Sequence, residues 1–593
     1  MVKLGIRIIM KSNYNKYPAI ALDDNNDCFD GWDSIGHELK RKIDSLNKKQ
    51  AIVIVEFYQG ILKEDLSHKL QNLLKPDLII NAEEAMFDED YIREMVYQDV
   101  TDDRIFGYMT RLTINDFFDP EKIDQLRQKI RESKDKTVLI YGTGASLIAE
   151  RQDVFVYADM ARWEIQKRMR RHEVDNLGIR NRNIEDWMLL YKQGFFVDWR
   201  VCDRNKKELF ERFDYVLDTN ERKHPKMMTN EAVMEGYRMA VNQPFSVVPF
   251  FDPGPWGGQW MKEVCGLDQS RENYAWCFNC VPEENSLLFK VGDVLFELPS
   301  INLVLIHPRE LLGDPVHARF GDEFPIRFDF LDTMEGGNLS LQVHPLTEYI
   351  QEKFGMHYTQ DESYYIMDAE KGAVVYLGLK EGVDPEKCIK DLRQAANGGE
   401  SFDDTKHIQQ WKVSKHDHVM IPGGTVHCSG KNSMVLEISA TPYIFTFKLW
   451  DWGRLGLDGK PRPINIEHGK NVIQWYRTTE WTKKNLINCT KRICEADGWI
   501  EEQTGLHERE FIETRRHWFK ERVEHYTKGS VNVICLVEGR EVIVESPANK
   551  FNPFIVHYAE VFIVPANVSS YTIRPYGESE GMECATIKAY VRY

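Results

Sequence analysis

Leu339-Ser340-Leu341-Gln342-Val343-His344-Pro345 is the stretch on which the reading of this 593-residue chain turns. Gln342 and His344 stand two apart, so on an extended strand both side chains point to one face. Two later stretches answer it: Asp361-Glu362-Ser363-Tyr364-Tyr365 brings a carboxylate at Glu362, and Ile421-Pro422-Gly423-Gly424-Thr425-Val426-His427 brings a second imidazole at His427. An amide oxygen, two imidazoles and one carboxylate form a ligand set that suits Zn²⁺, with Fe²⁺ or Mn²⁺ also admissible. A position left open for water or substrate makes such a site catalytic rather than structural. Taken singly, a strand histidine is an ordinary hydrogen-bonded residue. The order and spacing single these four out.

Gln-x-His, then a Glu at a strand start, a turn at Gly372 and Pro-x-Gly-x-x-His on a later strand is the pattern of a metal-binding cupin, a small antiparallel double-sheet barrel. The flanking residues extend the likeness. Trp256-Gly257-Gly258, Leu311-Leu312-Gly313, Phe324-Pro325, Leu331-Asp332, Leu339 to Pro345, Tyr376-Leu377-Gly378-Leu379-Lys380, Ile421 to His427 and Leu436-Glu437-Ile438 occur in the order found in type I mannose-6-phosphate isomerases. Over about residues 245 to 470 the chain resembles that family, in a long bacterial form with an extra N-terminal half. The resemblance implies a zinc-dependent aldose–ketose isomerase with Gln342, His344, Glu362 and His427 on the metal.

Composition sets the frame. Hydrophobic residues at 42%, charged at 28% and aromatic at 12% describe an ordinary folded protein with several domains. A formal net charge of −17 argues against nucleic-acid or anionic-membrane partners. Met1 to Met10 carries too short an apolar run for a signal peptide, and no run reaches a membrane span, so a cytoplasmic location is expected. Eleven cysteines without repeated spacing fit reduced thiols. The one Cys-x-x-Cys, Cys277 to Cys280, has no second pair to make a zinc site.

Residues 1–240 read as an α/β domain. Ala51 to Val55, Leu78 to Ile80, Thr137 to Tyr141 and Val154 to Tyr157 are apolar strand-length runs, and Leu66, Leu70, Leu73, then Ile123, Leu126, Ile130, recur at helical spacing. Such alternation predicts a parallel sheet with helices on both faces. The turn after Val55 stands where a P-loop kinase keeps its phosphate loop, and the region faintly resembles that fold in degenerate form. Gly60 is followed by Ile61 and Leu62, however, with Lys63 displaced, so the Gly-Lys-Ser/Thr chemistry is missing. Gly142-x-Gly144 is a weak phosphate signal of the same kind. The basic run Lys167, Arg168, Arg170, Arg171 reads as a solvated helix face, with Arg168 and Arg171 spaced to meet an anion.

A cluster of Pro and Gly from Pro244 to Gly258 marks a linker, after which short β-rich runs begin: Ser286 to Lys290, Val294 to Leu298, Leu303 to Ile306. Residues 241–470 are expected to form the metal-binding cupin, with an inserted helix at Lys387 to Ala396 that the resemblance makes a lid. Residues 471–593 are expected to form a connecting helix and a second cupin-like barrel without metal, because Pro565 to Ser570 parallels Pro422 to His427 with Ser570 in the histidine's place. His557 reads as structural.

An isomerase must shuttle a proton between C1 and C2 through a cis-enediol. The resemblance assigns Glu437 as proton carrier and Lys448 as the basic residue flanking the pocket; Ser340, Lys448 and Arg454 would hold the phosphate of a substrate such as mannose 6-phosphate or fructose 6-phosphate. Three departures from the family stand out: Lys448 in place of an arginine keeps the charge but loses the bidentate fork, while Gln360 and Asp329 each stand where a lysine is usual, with Arg327, Lys431 or Arg454 available to compensate. Two alternatives stay open, a sugar-sensing or regulatory cupin without turnover and a metal-dependent dioxygenase-like cupin.

Overall fold

The computed structural model describes residues 12–593 apart from 25–26, 457–458, 460–461 and 506. The expectation for Met1 to Met10 lies outside the described residues. No described helix is long and apolar enough to cross a membrane.

The N-terminal part is built on a seven-stranded sheet. Ala51–Phe57, Thr137–Gly142, Leu78–Asn81, Val154–Asp159 and Tyr215–Asp218 run parallel, while Lys226–Thr229 and Cys28–Asp30 close one edge antiparallel. Ala51–Phe57 is buried along its whole length, as a central parallel strand covered on both faces must be. Lys226–Thr229 and Cys28–Asp30 are short, and Tyr215–Asp218 lacks a strong apolar run, which is why pattern alone misses these three.

The turns that would hold a nucleotide are otherwise engaged. The Glu56 carboxylate accepts from the backbone amides of Gly144 and Ser146 at 2.6 and 2.7 Å, so the amides after Gly142-Thr143 meet an internal carboxylate. Lys63 pairs with Glu83 at 2.7 Å. Arg168 is buried rather than solvated, donating to the carbonyls of Gly60 and Thr219. The anion reading of Gly142-x-Gly144 and of Arg168 is corrected accordingly: these groups serve the turn itself.

Two antiparallel double-sheet barrels follow. In the first, a six-stranded sheet runs His418–Ile421, Glu362–Ala369, Ser433–Ala440, Ile326–Asp332, Trp276–Cys280, Phe250–Asp252; a five-stranded sheet runs Ile408–Lys412, Val374–Leu379, His427–Ser429, Leu341–Val343, Phe447–Trp450. Along Ile326–Asp332 the two-residue period is complete: Arg327, Asp329 and Leu331 line a cavity, while Phe328 and Phe330 enter the hydrophobic core. Ser286–Val291 and Val294–Pro299 are strands as expected, joined by Ala19–Ala21 in a separate small sheet. Leu303 to Ile306 is not a strand but part of the helix Ile301–Ile306; a four-residue apolar run carries no periodicity that separates the two. The insertion is a helix, Pro385–Ala396, capped by Asp384, but it packs on Phe447–Trp450 and Ile466–Gly469 and lends no residue to the cavity wall.

The second barrel has six- and four-stranded sheets between Lys491 and Val591 around its own apolar core. Ser570 opens the strand Ser570–Pro575. His557 bonds Glu560 at 2.9 Å. Cys277 and Cys280 are buried free thiols.

Candidate metal centre and substrate cavity

Strand register assembles the centre. Leu341–Val343 sets Gln342 directly opposite His427 on one side and Lys448 on the other. His344 follows the strand end, and Glu362 opens the strand Glu362–Ala369 of the facing sheet. His344 Nε2 lies 3.1 Å from one Glu362 oxygen and His427 Nε2 lies 2.7 Å from the other. The Gln342 amide is 3.3 Å from His427 Nε2. A half turn of that amide leaves its shape unchanged and directs its carbonyl oxygen to the same point.

The second contacts of these residues fix their direction. His427 Nδ1 bonds the Thr425 carbonyl at 2.8 Å and His344 Nδ1 faces the Phe445 carbonyl at 3.3 Å. A carbonyl accepts only, so both imidazoles carry their proton on Nδ1 and turn the Nε2 lone pair inward. His344 Nε2 and Glu362 Oε1 are buried without a hydrogen-bond partner. One ligand atom from each of His344, Glu362 and His427 falls within 4.8 Å of the others. Buried, convergent, partnerless donors of this kind fit a divalent cation, which removes the cost of leaving them unsatisfied.

Beside the centre lies a second set. Strand pairing puts Asp329 opposite Glu437 and Arg327 opposite Ser439. The Arg327 guanidinium bonds Glu437 and Ser439, and lies 3.1 Å from Asp329. Gln360 donates to Glu362 at 2.9 Å and reaches Glu437 at 3.4 Å. Burial raises both acids despite the arginine: Asp329 is pushed up to about 7, and Glu437 lies well above the usual carboxylate range. Asp329 lines the cavity, and its Oδ1 is buried without a hydrogen-bond partner. Asp329 thus enters as a second acid with a pKa near neutrality, where sequence reasoning saw only a lost lysine.

The expected phosphate residues divide. Ser340 and Lys448 line the cavity, whose volume is about 710 Å³. Burial, with Arg462 and Arg454 nearby, lowers the Lys448 amine to about 7. Arg462, not anticipated from sequence, also lines the cavity, donating to Ser340 Oγ at 3.1 Å and Asp451 at 2.9 Å. It sits in an irregular Pro-flanked loop, Arg462-Pro463, where no periodicity marks its direction. Arg454 is absent from the wall: it clamps Asp451 at 2.6 Å and the Asn338 carbonyl. Lys431 is exposed away from it.

Comparison with known proteins finds likenesses over parts of the chain. A family model described as a domain of unknown function (DUF8485) matches residues 31–242. Mannose-6-phosphate isomerase ManA of Bacillus subtilis (strain 168) is 27% identical over 233 residues, covering 39% of this chain and 68% of that protein. Mannose-6-phosphate isomerase of Streptococcus mutans serotype c is 28% identical over 221 residues, covering 37% of this chain and 64% of that protein. The chain thus spans about two thirds of the length of these relatives. Among solved structures, the Bacillus subtilis mannose 6-phosphate isomerase aligns at 19% identity with a TM-score of 0.48, over 59% of this chain and 99% of that one. Over somewhat more than a third of its length the chain is thus similar to mannose-6-phosphate isomerases.

Proposed function

We propose that the chain is a zinc-dependent isomerase that interconverts an aldose phosphate and its ketose phosphate, mannose 6-phosphate and fructose 6-phosphate being the pair its relatives' names point to. The observation that carries this reading is the convergence of His344, Glu362 and His427, with the Gln342 amide beside them; Gln342 itself lines a cavity whose wall also holds two acids near Arg327. When bound there, a divalent cation supplies the Lewis acidity that polarises a sugar carbonyl. Gln342, His344, Glu362 and His427 would hold it.

The remaining chemistry belongs to the chain. A proton must leave C2 and return to C1, and the group that carries it works best with a pKa near the working pH. Asp329, pushed by burial to about 7, meets that requirement; Glu437, also raised by burial, faces it across one strand pair, with Arg327 holding both in place. Ser340, Lys448 and Arg462 form a donor group at the other side of Gln342 suited to a phosphate, and the Arg462 fork supplies planar donors where the family's arginine is replaced by Lys448. Arg454 acts behind this group by fixing Asp451.

Replacement of His344 by alanine, with bound zinc and fructose 6-phosphate formation measured together, tests the reading. Loss of both is expected; unchanged metal content refutes it. The loss of family cations at Gln360 and Asp329 favours one rival, a sugar sensor without turnover. Tight sugar-phosphate binding with full zinc occupancy and no isomerisation would establish that instead.

A further inference from the structure

The cavity does not end where the proposed reaction needs it to. From Gln342, Glu437 and Lys448 it runs on past Tyr443 to a wall built by residues upstream of the barrel: Arg104, Gln166, Arg170, Trp187 and Tyr191. All five fall inside the segment matched by the domain of unknown function. Phe250, Trp276 and Phe278, from the barrel's outer strands, complete that wall.

Its chemistry differs from that of the phosphate end. Phe250 and Phe278 stack at 5.9 Å with their rings 9° apart, Trp163 extends the stack at 5.6 Å, and Trp276 packs edge-on to Trp256. Trp187, Trp276 and Phe278 are only half buried, leaving aromatic surface open on the cavity side. The arginines between them are already neutralised: Arg170 forks onto Asp252 at 2.9 and 2.8 Å beneath the Trp187 ring, and Arg104 pairs with Asp186 at 3.0 Å. A wall with exposed aromatic faces and balanced Asp–Arg pairs offers stacking, donors and acceptors but no net charge. It suits a neutral, hydroxyl-rich ring rather than a second anion. Size agrees. At about 710 Å³ the cavity lies in the upper part of the ~300–1,000 Å³ range of small-molecule sites.

We propose that this wall is a second sugar subsite, so that the substrate is a reducing disaccharide, carrying the phosphate on its reducing unit, and the N-terminal part of the chain selects it. The inference rests on the isomerase reading for the position of the reacting unit. Its own content is the recognition of the second ring by Trp187, Trp276 and Phe278, with Arg170 and Asp252 on its hydroxyls.

The test uses the full zinc-loaded chain. Calorimetric binding and ketose formation are measured for mannose and β-1,4-mannobiose, each with and without a 6-phosphate on the reducing unit. The disaccharide of each pair is expected to bind at least tenfold more tightly than its monosaccharide. Trp187→Ala should reduce that ratio at least fivefold, and Trp187→Phe should restore most of it. Equal affinity for mono- and disaccharide, or a Trp187→Ala variant that keeps the ratio while retaining zinc and its circular dichroism spectrum, overturns the subsite. Disaccharide preference in binding without any ketose formed refutes the isomerase reading and leaves the subsite standing. Turnover of mannose 6-phosphate without disaccharide preference does the reverse.

Discussion

Replacing Arg327 by methionine removes the one cation from a buried group of acids. Arg327 is 5% exposed, its guanidinium touches Glu437 and Asp329, and Glu362 stands close enough to help raise Asp329. Methionine keeps much of the stem's packing and deletes the charge. Breaking a buried ion pair by removing one partner costs about 3–5 kcal/mol, because the charge left behind has neither water nor a counter-ion. The acids can escape part of that cost by taking up protons. Asp329 sits at about 7 already, above the ~3.9 of an unfolded aspartate, so the folded state binds its proton more tightly. The stability contributed by a raised carboxyl is present at low pH and is lost as pH rises through the folded value. Without Arg327 that value moves further up, and each additional bound proton changes stability by about 1.4 kcal/mol per pH unit. A loss of about 3–5 kcal/mol at pH 8 should therefore shrink by ~1.4 kcal/mol at pH 6, because the unaltered protein already takes up the Asp329 proton over the lower half of that range. Urea unfolding of the zinc-loaded protein at both pH values, followed by tryptophan fluorescence, reads the difference. A pH-independent loss, or one below about 1 kcal/mol at pH 8, would refute the account of Arg327 as the counter-ion of this pair.

Three further outcomes follow from the same geometry. With the Lys448 amine near 7, the free protein loses its ammonium as pH rises, so kcat/KM for mannose 6-phosphate should fall above neutrality, and Lys448→Arg should abolish that alkaline limb. His418, buried and lowered to about 3, binds protons only after unfolding; stability should fall as pH drops below 6.5, by ~2 kcal/mol at pH 5, and His418→Leu should remove that slope in a thermal unfolding series. Phe106 stacks on Phe445, whose carbonyl faces His344, so Phe106→Ala should cost about 3–5 kcal/mol in urea unfolding and hasten zinc loss to a chelator.

The metal motif was legible because its geometry is local. Two residues on one strand share a face by the period of the strand, and a Pro-Gly turn fixes where His427 begins the next one. Strands of the parallel sheet were legible for a similar reason, since a run such as Ala51 to Val55 has no polar interruption to confuse it. What escaped were pairings between distant strands. Asp329 reads as a lost cation until its strand is set beside Ser433–Ala440, where Glu437 stands opposite and Arg327 turns to meet both. Arg462 comes from a loop whose direction depends on Asp451, eleven residues earlier, and Arg454 was misplaced because Asp451 and a carbonyl claim it first. Burial also inverted the reading of the N-terminal basic helix: Arg168 follows the helical spacing of a surface residue but closes the Gly60 turn from inside.

That turn bears on why the N-terminal sheet accompanies the barrel that carries the candidate metal centre. Its helices present two surfaces to the barrel. Through Phe106 and Phe196 it packs against Phe445, behind His344, and Asp103 pairs with His468 at 3.2 Å beside the same cluster. Through Gln166 and Tyr191 it reaches Glu284 and Tyr443 at the cavity's far wall. One surface steadies a residue of the metal centre, and the other bounds the space in front of it. Gly60 makes the junction rigid: at φ +96° it needs glycine, and a Cβ there would stand 2.7 Å from Ile165, on the helix Arg162–Arg170 that carries Gln166 and Arg170 into the cavity. A loop that resembles a phosphate loop in sequence is thus used to seat the helix that walls the cavity, and its glycine is required by that close approach whether or not a phosphate ever lay there.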